Sequence, residues 1–276
     1  MAKSANENEE LGPEYKREIL SDAYEEAKLL IDSAERLGLT ARLIGGVAFR
    51  AQLPDWQLRK APAHDLDFVV RSADARGFAR LLEAVGYVPD KKQNALFGHK
   101  QLYFVDLQNQ RPVDVIIDRL EMCHTLELKD RLDMDPMTVA RVDLLLSKLQ
   151  IVKLNRKDAL DGAALLSMYE LGDDEGINLN VFRSLLGEDW GWWRTVTANL
   201  DVILQFAQSN DDAFIRDITM DSPARMDLVE QLSELKRTAQ EAPKSRSWII
   251  DHALKELRSR QVFTWRFLLF KAFLLW

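Results

Sequence analysis

Three aspartates lie inside segments that are otherwise apolar, where a charged side chain is unexpected. Asp65 and Asp67 belong to the run HDLDFVV, and Asp114 belongs to the run PVDVII. Aspartate is disfavoured in β-strands, and carboxylates that lie close together and partly shielded from water repel one another. Three such carboxylates in one place need a cation, and hard oxygen ligands suit Mg²⁺, which also binds phosphates. The three aspartates are therefore the candidate metal ligands and catalytic residues.

Two further features accompany these aspartates along the chain, a Gly-Gly pair before them and a lysine after them. Gly45 and Gly46 come after a short apolar run, and glycine lets a backbone approach a phosphate group closely. Lys148 lies on a predicted helix later in the chain, where its charge could neutralise a phosphate. Taken singly, a Gly-Gly pair is usually a turn and a lysine is usually a surface residue. The combination with the aspartates is what indicates a functional site.

The spacing of apolar residues predicts the elements that hold these side chains. Asp65 and Asp67 are two residues apart, so they project from the same face of their strand. Ser72 and Asp74 are predicted to cap the helix that follows. The predicted elements, in chain order, are a helix over residues 14–37, a strand over 41–44, a helix over 47–53, a strand over 64–70, a helix over 75–85, and strands over 102–107 and 113–117.

The chain changes character at Pro136, after which it reads almost wholly as helices. Breaks between these helices are predicted near residues 171–176, 187–191 and 209–212. We therefore divide the chain into an α/β domain over residues 14–135 and a helical domain over residues 136–276. The predicted fold class is α+β, with a mixed sheet flanked by helices and a helical domain behind it.

The order Gly-Gly, Asp-x-Asp and a third strand-borne aspartate resembles the nucleotidyltransferase superfamily, which includes DNA polymerase beta. The resemblance implies that Gly45 and Gly46 contact a triphosphate and that Asp65 and Asp67 bridge two Mg²⁺ ions. It implies that Asp114 completes the site and activates an incoming hydroxyl group. The expected protein is a magnesium-dependent nucleotidyltransferase with the nucleotidyltransferase-type sheet. It would move a nucleoside monophosphate from a nucleoside triphosphate such as ATP to a hydroxyl acceptor.

The segment from Lys148 to Asp161 is similar to a K…R-x-K-D-x-x-D pattern, although here one spacer residue is missing. That pattern is associated with two branches of the superfamily, the AbiEii-like toxins and the antibiotic-modifying nucleotidyltransferases. The resemblance implies that Lys148, Arg156 and Asp158 bind the nucleotide. On a helix, Lys148 and Arg156 would line one groove, which Asp158 and Asp161 would order. The alternative role of the two aspartates is helix capping and salt bridging.

The acceptor stays open between RNA and a small hydroxylated molecule. The toxin-like branch implies RNA, such as a tRNA end, and an antitoxin protein as partner. The formal net charge of -7 argues against broad electrostatic coating of nucleic acid, but a local basic groove near Lys148 leaves RNA open. A non-catalytic nucleotide-binding or interaction module on the same fold is the alternative to an enzyme. Asparagine at positions 65 and 67 would distinguish the two.

Two features of the sequence bear on the cellular location of the protein, its cysteine content and one apolar stretch. The chain contains a single cysteine, Cys123, which excludes an internal disulfide and favours a reducing compartment, the cytoplasm. The apolar stretch over residues 262–276 is shorter than the roughly 20 residues that span a bilayer, so no membrane span is expected. We predict a buried or partner-covered helix there, with a membrane-surface helix as the alternative.

Overall fold

The computed structural model describes residues 11–12, 15–54, 65–209 and 227–256. The helices are α1 (Ala23–Arg36), α2 (Gly45–Gln52), α3 (Ser72–Val85), α4 (Lys91–Phe97), α5 (Arg141–Leu149), α6 (Arg156–Met168), α7 (Leu179–Glu188), α8 (Trp190–Gln208) and α9 (Leu228–Glu241). A 3-10 helix covers Lys129–Arg131, and residues 246–256 are helical. The strands are β1 (Ala41–Ile44), β2 (Leu66–Val70), β3 (Val88–Pro89), β4 (Gln101–Asp106), β5 (Arg111–Ile117), β6 (Arg119–Glu121), β7 (Thr125–Glu127), β8 (Leu171–Gly172) and β9 (Ile177–Asn178).

The main sheet is mixed and has the strand order β1-β2-β5-β4-β3. Strand β2 runs parallel to β5 and antiparallel to β1, and β4 runs antiparallel to both β5 and β3. One face of the two central strands is fully buried, and there Phe68 meets Phe78 of α3 with ring centroids 5.2 Å apart. The predicted α+β class, with a mixed sheet, flanking helices and a helical region behind it, is confirmed.

The alternation of β2 and β5 separates apolar from acidic side chains. Leu66 and Val113, which pair in the strand register, are fully buried in the core. The next register pair, Asp67 with Asp114, points to the opposite face because successive side chains of a strand alternate. The apolar neighbours of the aspartates therefore fix which face of the sheet carries the carboxylates.

The start predicted for the first helix, at residue 14, is wrong. Helix α1 begins directly after Asp22, whose carboxylate accepts hydrogen bonds from two N–H groups of the first turn. The preceding segment is held instead by Glu26, which is fully buried and accepts two hydrogen bonds from Arg17 and one from the N–H of Leu20. The buried carboxylate of Glu26 therefore holds residues 17–20 against the helix. The spacing of apolar residues in that segment instead predicts a longer helix.

The caps predicted for α3 are also wrong. The N-cap residue is Arg71, which makes no side-chain cap bond. The N–H of Ser72 donates to the carboxylate of Asp118, which lies just beyond β5, at 2.9 Å. Asp74 accepts instead from the N–H of Thr40, at 3.2 Å. The carboxylate of Asp118 therefore replaces the local cap. It is distant in sequence, and only the fold brings it close to the start of α3.

The segment after the 3-10 helix returns to the edge of the sheet at β1. The N–H of Leu43 donates to the carbonyl of Met137, and the N–H of Val139 donates to the carbonyl of Leu43, both at 2.9 Å. Buried apolar residues from both predicted domains belong to one hydrophobic cluster. The two halves therefore share one core, and the boundary at residue 135 stays a prediction.

The predicted breaks in the helical half coincide with ends of elements. Strand β8 lies in the first break and β9 directly follows it, α7 and α8 meet at the second, and α8 ends at the third. The strands β3, β6, β7, β8 and β9 are too short to produce a visible alternation in the sequence. Within the described ranges no helix is long and apolar enough to cross a membrane. The prediction for residues 262–276 lies outside the described residues.

Candidate functional site

Two of the candidate aspartates are direct neighbours on parallel strands. The register of β2 and β5 pairs Asp67 with Asp114, and hydrogen-bonded strands lie about 4.8 Å apart. Asp65 directly precedes β2, and its negative charge raises the pKa of both other carboxyl groups. The structure therefore places all three carboxylates within electrostatic reach of one another.

The environment of these aspartates shifts their protonation. Burial, together with repulsion from Asp114 and Asp65, raises the pKa of Asp67 to about 7, although attraction by Lys148 opposes the rise. Burial also raises the pKa of Asp114, while a hydrogen bond from the side chain of Gln101 opposes that rise. Carboxyl groups with raised pKa values that share one site are typical of functional centres.

Gln101, the first residue of β4, is a site residue that sequence reasoning missed. Its contact with Asp114 depends on the pairing of β4 with β5, which places Gln101 opposite Ile116, two residues along from Asp114. An isolated glutamine at the start of a short strand carries no chemical signal. Only the spacing of the two strands around their turn could have suggested the contact.

The backbone of Gly45 lies against the carboxylate of Asp67. Strand β1 ends at Ile44, which pairs with Asp67, and α2 begins at the next residue with φ +72°. A Cβ atom at Gly45 would lie 2.1 Å from Oδ2 of Asp67, so both the conformation and the space require glycine. Because α2 has no side-chain cap, the N–H groups of its first turn, which includes Gly46, remain available beside the carboxylates.

Lys148 links the helical half to the carboxylates through a largely buried ion cluster. Its Nζ atom lies 2.7 Å from Oδ1 of Asp158 and 3.2 Å from Oδ2 of Asp161, and Asp161 is fully buried. The same Nζ atom lies 5.3 Å from the ring centroid of Phe49 in α2. Since Lys148 also lowers the pKa of Asp67, its charge is shared between two sets of carboxylates.

The basic groove on a single helix, predicted for Lys148 and Arg156, does not form. Helix α5 ends one residue after Lys148, and Arg156 begins α6 after a loop. Asn155 caps α6: its Oδ1 atom accepts from the N–H of Asp158 at 3.0 Å, and its Nδ2 atom donates to Oδ2 of Asp158 at 2.5 Å. Asp158 therefore makes the salt bridge of the alternative interpretation, while the cap of α6 comes from Asn155.

The donor atoms of the site suit magnesium when a substrate completes the coordination. Among the described residues, no group of three or more His, Cys, Asp or Glu side chains is arranged to hold a metal ion. Magnesium, however, keeps several waters and commonly binds through one or two carboxylates together with phosphate oxygens of a substrate. The adjacent pair Asp67 and Asp114 fits that mode, and a closed cage made only of protein ligands does not.

Comparison with known proteins adds one structural likeness. No protein-family model matches the chain, and no curated protein matches it. Among solved structures, the chain is similar to the STING-associated CdnE c-di-GMP synthase from Capnocytophaga granulosa. The match covers 84% of this chain and 81% of that chain, with 15% sequence identity and a TM-score of 0.27. At this TM-score the two backbones differ widely, so the roles of the site residues are assigned from the contacts within this chain.

Proposed function

We propose that the protein is a magnesium-dependent nucleotidyltransferase that moves a nucleoside monophosphate from a nucleoside triphosphate to a hydroxyl group and releases pyrophosphate. The observation that supports this most directly is the pairing of Asp67 with Asp114 on parallel strands, with the backbone of Gly45 against Asp67. Adjacent carboxylates offer metal ligands, and an uncapped helix start beside them offers N–H donors to phosphate oxygens. Both halves of a metal–triphosphate complex would find partners there.

Each residue has a proposed part in the reaction. Asp65, Asp67 and Asp114 would hold two Mg²⁺ ions, which supply neutralisation of phosphate charge. The N–H groups of Gly45 and Gly46 would bind phosphate oxygens at the start of α2. Further nucleotide contacts would come from the helical half, through Lys148, Arg156 and Asp158.

In the proposed reaction, one oxygen–phosphorus bond forms, another breaks and one proton moves. The acceptor oxygen forms a bond to the α-phosphorus while the bond between that phosphorus and the pyrophosphate oxygen breaks. The hydroxyl proton passes to the carboxylate of Asp114 and then to water.

The first experiment is a thermal-shift and pyrophosphate-release screen with each of four nucleoside triphosphates, with and without Mg²⁺. We expect one or more triphosphates to stabilise the native protein only when Mg²⁺ is present. The D65N and D67N variants should lose both this stabilisation and, by about 100-fold or more, pyrophosphate release. Asp32 is exposed on α1, and D32N serves as the matched control. A native protein that no triphosphate stabilises would remove the support for an enzyme.

A second candidate is a non-catalytic nucleotide-binding or interaction module. The observation that favours it is the engagement of Lys148 by Asp158 and Asp161, which neutralises the ammonium group that a triphosphate would use. Such a module would be stabilised by a nucleotide and release no pyrophosphate, and D65N would leave its interactions unchanged. The same screen therefore separates the two candidates.

Two classes of acceptor are proposed, RNA and a small molecule. The resemblance to the toxin branch favours RNA and, as partner, an antitoxin protein, while the antibiotic-modifying branch favours a small molecule. A gel shift with tRNA at two salt concentrations tests the first, because binding through phosphates weakens steeply as salt rises. Binding that is absent at both concentrations would exclude tRNA as the acceptor.

A further inference from the structure

A polar cleft with a volume of about 420 Å³ opens at the end of β5, beyond Asp114. Its floor includes Ile116 and Ile117 at the end of β5 and Gln101 at the start of β4. The hairpin of β6 and β7, which pair antiparallel directly after β5, supplies one wall. Pockets of about 300–1,000 Å³ hold small molecules, so the cleft has the size of a ligand site.

Gln101 connects this cleft to the carboxylates. The residue lines the cleft, and its side chain also hydrogen-bonds Asp114. Ile116 is two residues from Asp114, which at about 3.3 Å per residue puts the near end of the cleft about 7 Å from Asp114. The strand order β1-β2-β5-β4 puts Gly45 on one side of the carboxylates and the cleft on the other. The phosphate-binding glycines and the cleft therefore approach Asp114 from opposite sides.

The charges that line the cleft are balanced and mostly paired with one another. Glu121 binds Lys100 at 2.5 Å and Arg119 at 2.8 Å, and Arg119 also lies 3.7 Å from Glu127. Because these cations are already paired with carboxylates, they would gain little by binding the phosphate backbone of a nucleic acid. The same groups still offer donors and acceptors to hydroxyl groups. The lining includes cations and anions in equal number, namely Lys100, Arg119, Lys129, Asp118, Glu121 and Glu127.

We infer that this cleft binds the acceptor and that the acceptor is a small neutral molecule rich in hydroxyl groups, about the size of a nucleoside or disaccharide. This inference rests on the proposed nucleotidyl transfer. An acceptor in the cleft would extend one hydroxyl group from the near end towards Asp114, which takes its proton as the new oxygen–phosphorus bond forms and pyrophosphate leaves. Gln101 would hold Asp114 in place and contact the acceptor.

The test blocks the cleft without touching the carboxylates. Lys129 lines the cleft and is exposed, so a thiol introduced there in a C123S background (K129C) can carry a bulky maleimide. The matched control is K28C in the same background, because Lys28 is 45% exposed on α1 and does not line the cleft. Both modified proteins are incubated with Mg²⁺, α-labelled triphosphates, and either neutral probes (glycerol, trehalose and adenosine) or bulk tRNA.

We expect label on a neutral probe, a loss of about 100-fold in that transfer after modification of K129C, and no loss after modification of K28C. Stabilisation by Mg²⁺ and triphosphate should persist in both modified proteins, since the nucleotide side is untouched. Label on tRNA alone, label on no probe, or equal labelling by the two modified variants would overturn the acceptor inference and leave nucleotide binding intact. If no triphosphate stabilises the unmodified native protein, the proposed function itself would be overturned.

Discussion

Replacement of Asp67 by asparagine is expected to stabilise the metal-free protein in a pH-dependent way. Asp67 lies in β2 beside Asp114, and burial and like-charge repulsion raise its pKa from 3.8 to about 7. Between these two pH values the folded state binds more protons than the unfolded state. The contribution of Asp67 to the free energy of unfolding is therefore greatest below about pH 4 and falls as the pH rises to about 7.

The size of the effect follows from the shift in pKa. At about 1.4 kcal/mol per pH unit, a rise from 3.8 to about 7 corresponds to about 4 kcal/mol once the carboxylate is fully ionised. Roughly half of this loss is already present at about pH 5.5, because the unfolded chain is ionised there and the folded one is not. The D67N variant has no charge to desolvate. Its advantage over the native protein should therefore grow by about 2 kcal/mol between about pH 5.5 and about pH 8.5.

The assay is urea unfolding of the native protein, D67N and D32N at both pH values, with a chelator present to remove metal ions. D32N changes an exposed aspartate of α1 and should differ from the native protein by less than about 0.5 kcal/mol at each pH. The reasoning fails if the advantage of D67N is the same at both pH values, or if D67N is less stable than the native protein at the higher one.

Three other results are expected. Mg²⁺ must displace the proton of Asp67, so calorimetry should show Mg²⁺ affinity in the native protein falling about tenfold per pH unit below about 7, and D67N should lack this dependence. The G45A variant should lose about 2 kcal/mol or more by urea unfolding, because its Cβ would lie 2.1 Å from Oδ2 of Asp67 and its φ is left-handed. The K148M variant should lose about 3 kcal/mol, since it removes an ammonium group that pairs with two largely buried carboxylates, those of Asp158 and Asp161.

Matched controls isolate the cause of each loss. Gly38 has the same φ of +72° with nothing within 4 Å of its added Cβ, so G38A measures the left-handed conformation alone. If G45A costs no more than G38A, contact with Asp67 is not what requires glycine. Lys236 pairs with Asp201, which is 49% exposed, and K236M should cost less than about 1 kcal/mol. Equal losses in K148M and K236M would contradict the burial argument.

The carboxylates could be predicted because their signal is local. The two-residue spacing of Asp65 and Asp67 and the apolar neighbours of Asp114 are properties of short segments, and strands β1, β2 and β5 form close to the predicted positions. Alternation places Asp65 and Asp67 on one face of their strand. That Asp114 shares this face and pairs directly with Asp67 depends on β2 and β5 being neighbours in the observed register.

The partners of these residues could not be predicted because they depend on which elements meet. The hydrogen bond from Gln101 to Asp114 requires the pairing of β4 with β5, and the cap that Asp118 gives to α3 requires the end of β5 to reach the start of α3. Residues 14–37 illustrate the same limit, since Glu26 stabilises an extended segment that apolar spacing assigned to a helix. Long-range polar contacts override local propensity in each case.

The charge of the site determines how a triphosphate could bind. Lys148 attracts Asp67, which is repelled by Asp65 and Asp114, and the charge of Lys148 is already shared with Asp158 and Asp161. The cluster is therefore acidic whenever its carboxylates are ionised, and a polyanion without a cation would be repelled. Mg²⁺ removes the repulsion on both sides at once, so metal and nucleotide should each raise the affinity for the other. For this reason the magnesium-free arm of the triphosphate screen is as informative as the complete one: equal stabilisation in both arms would mean that the nucleotide binds away from the aspartates.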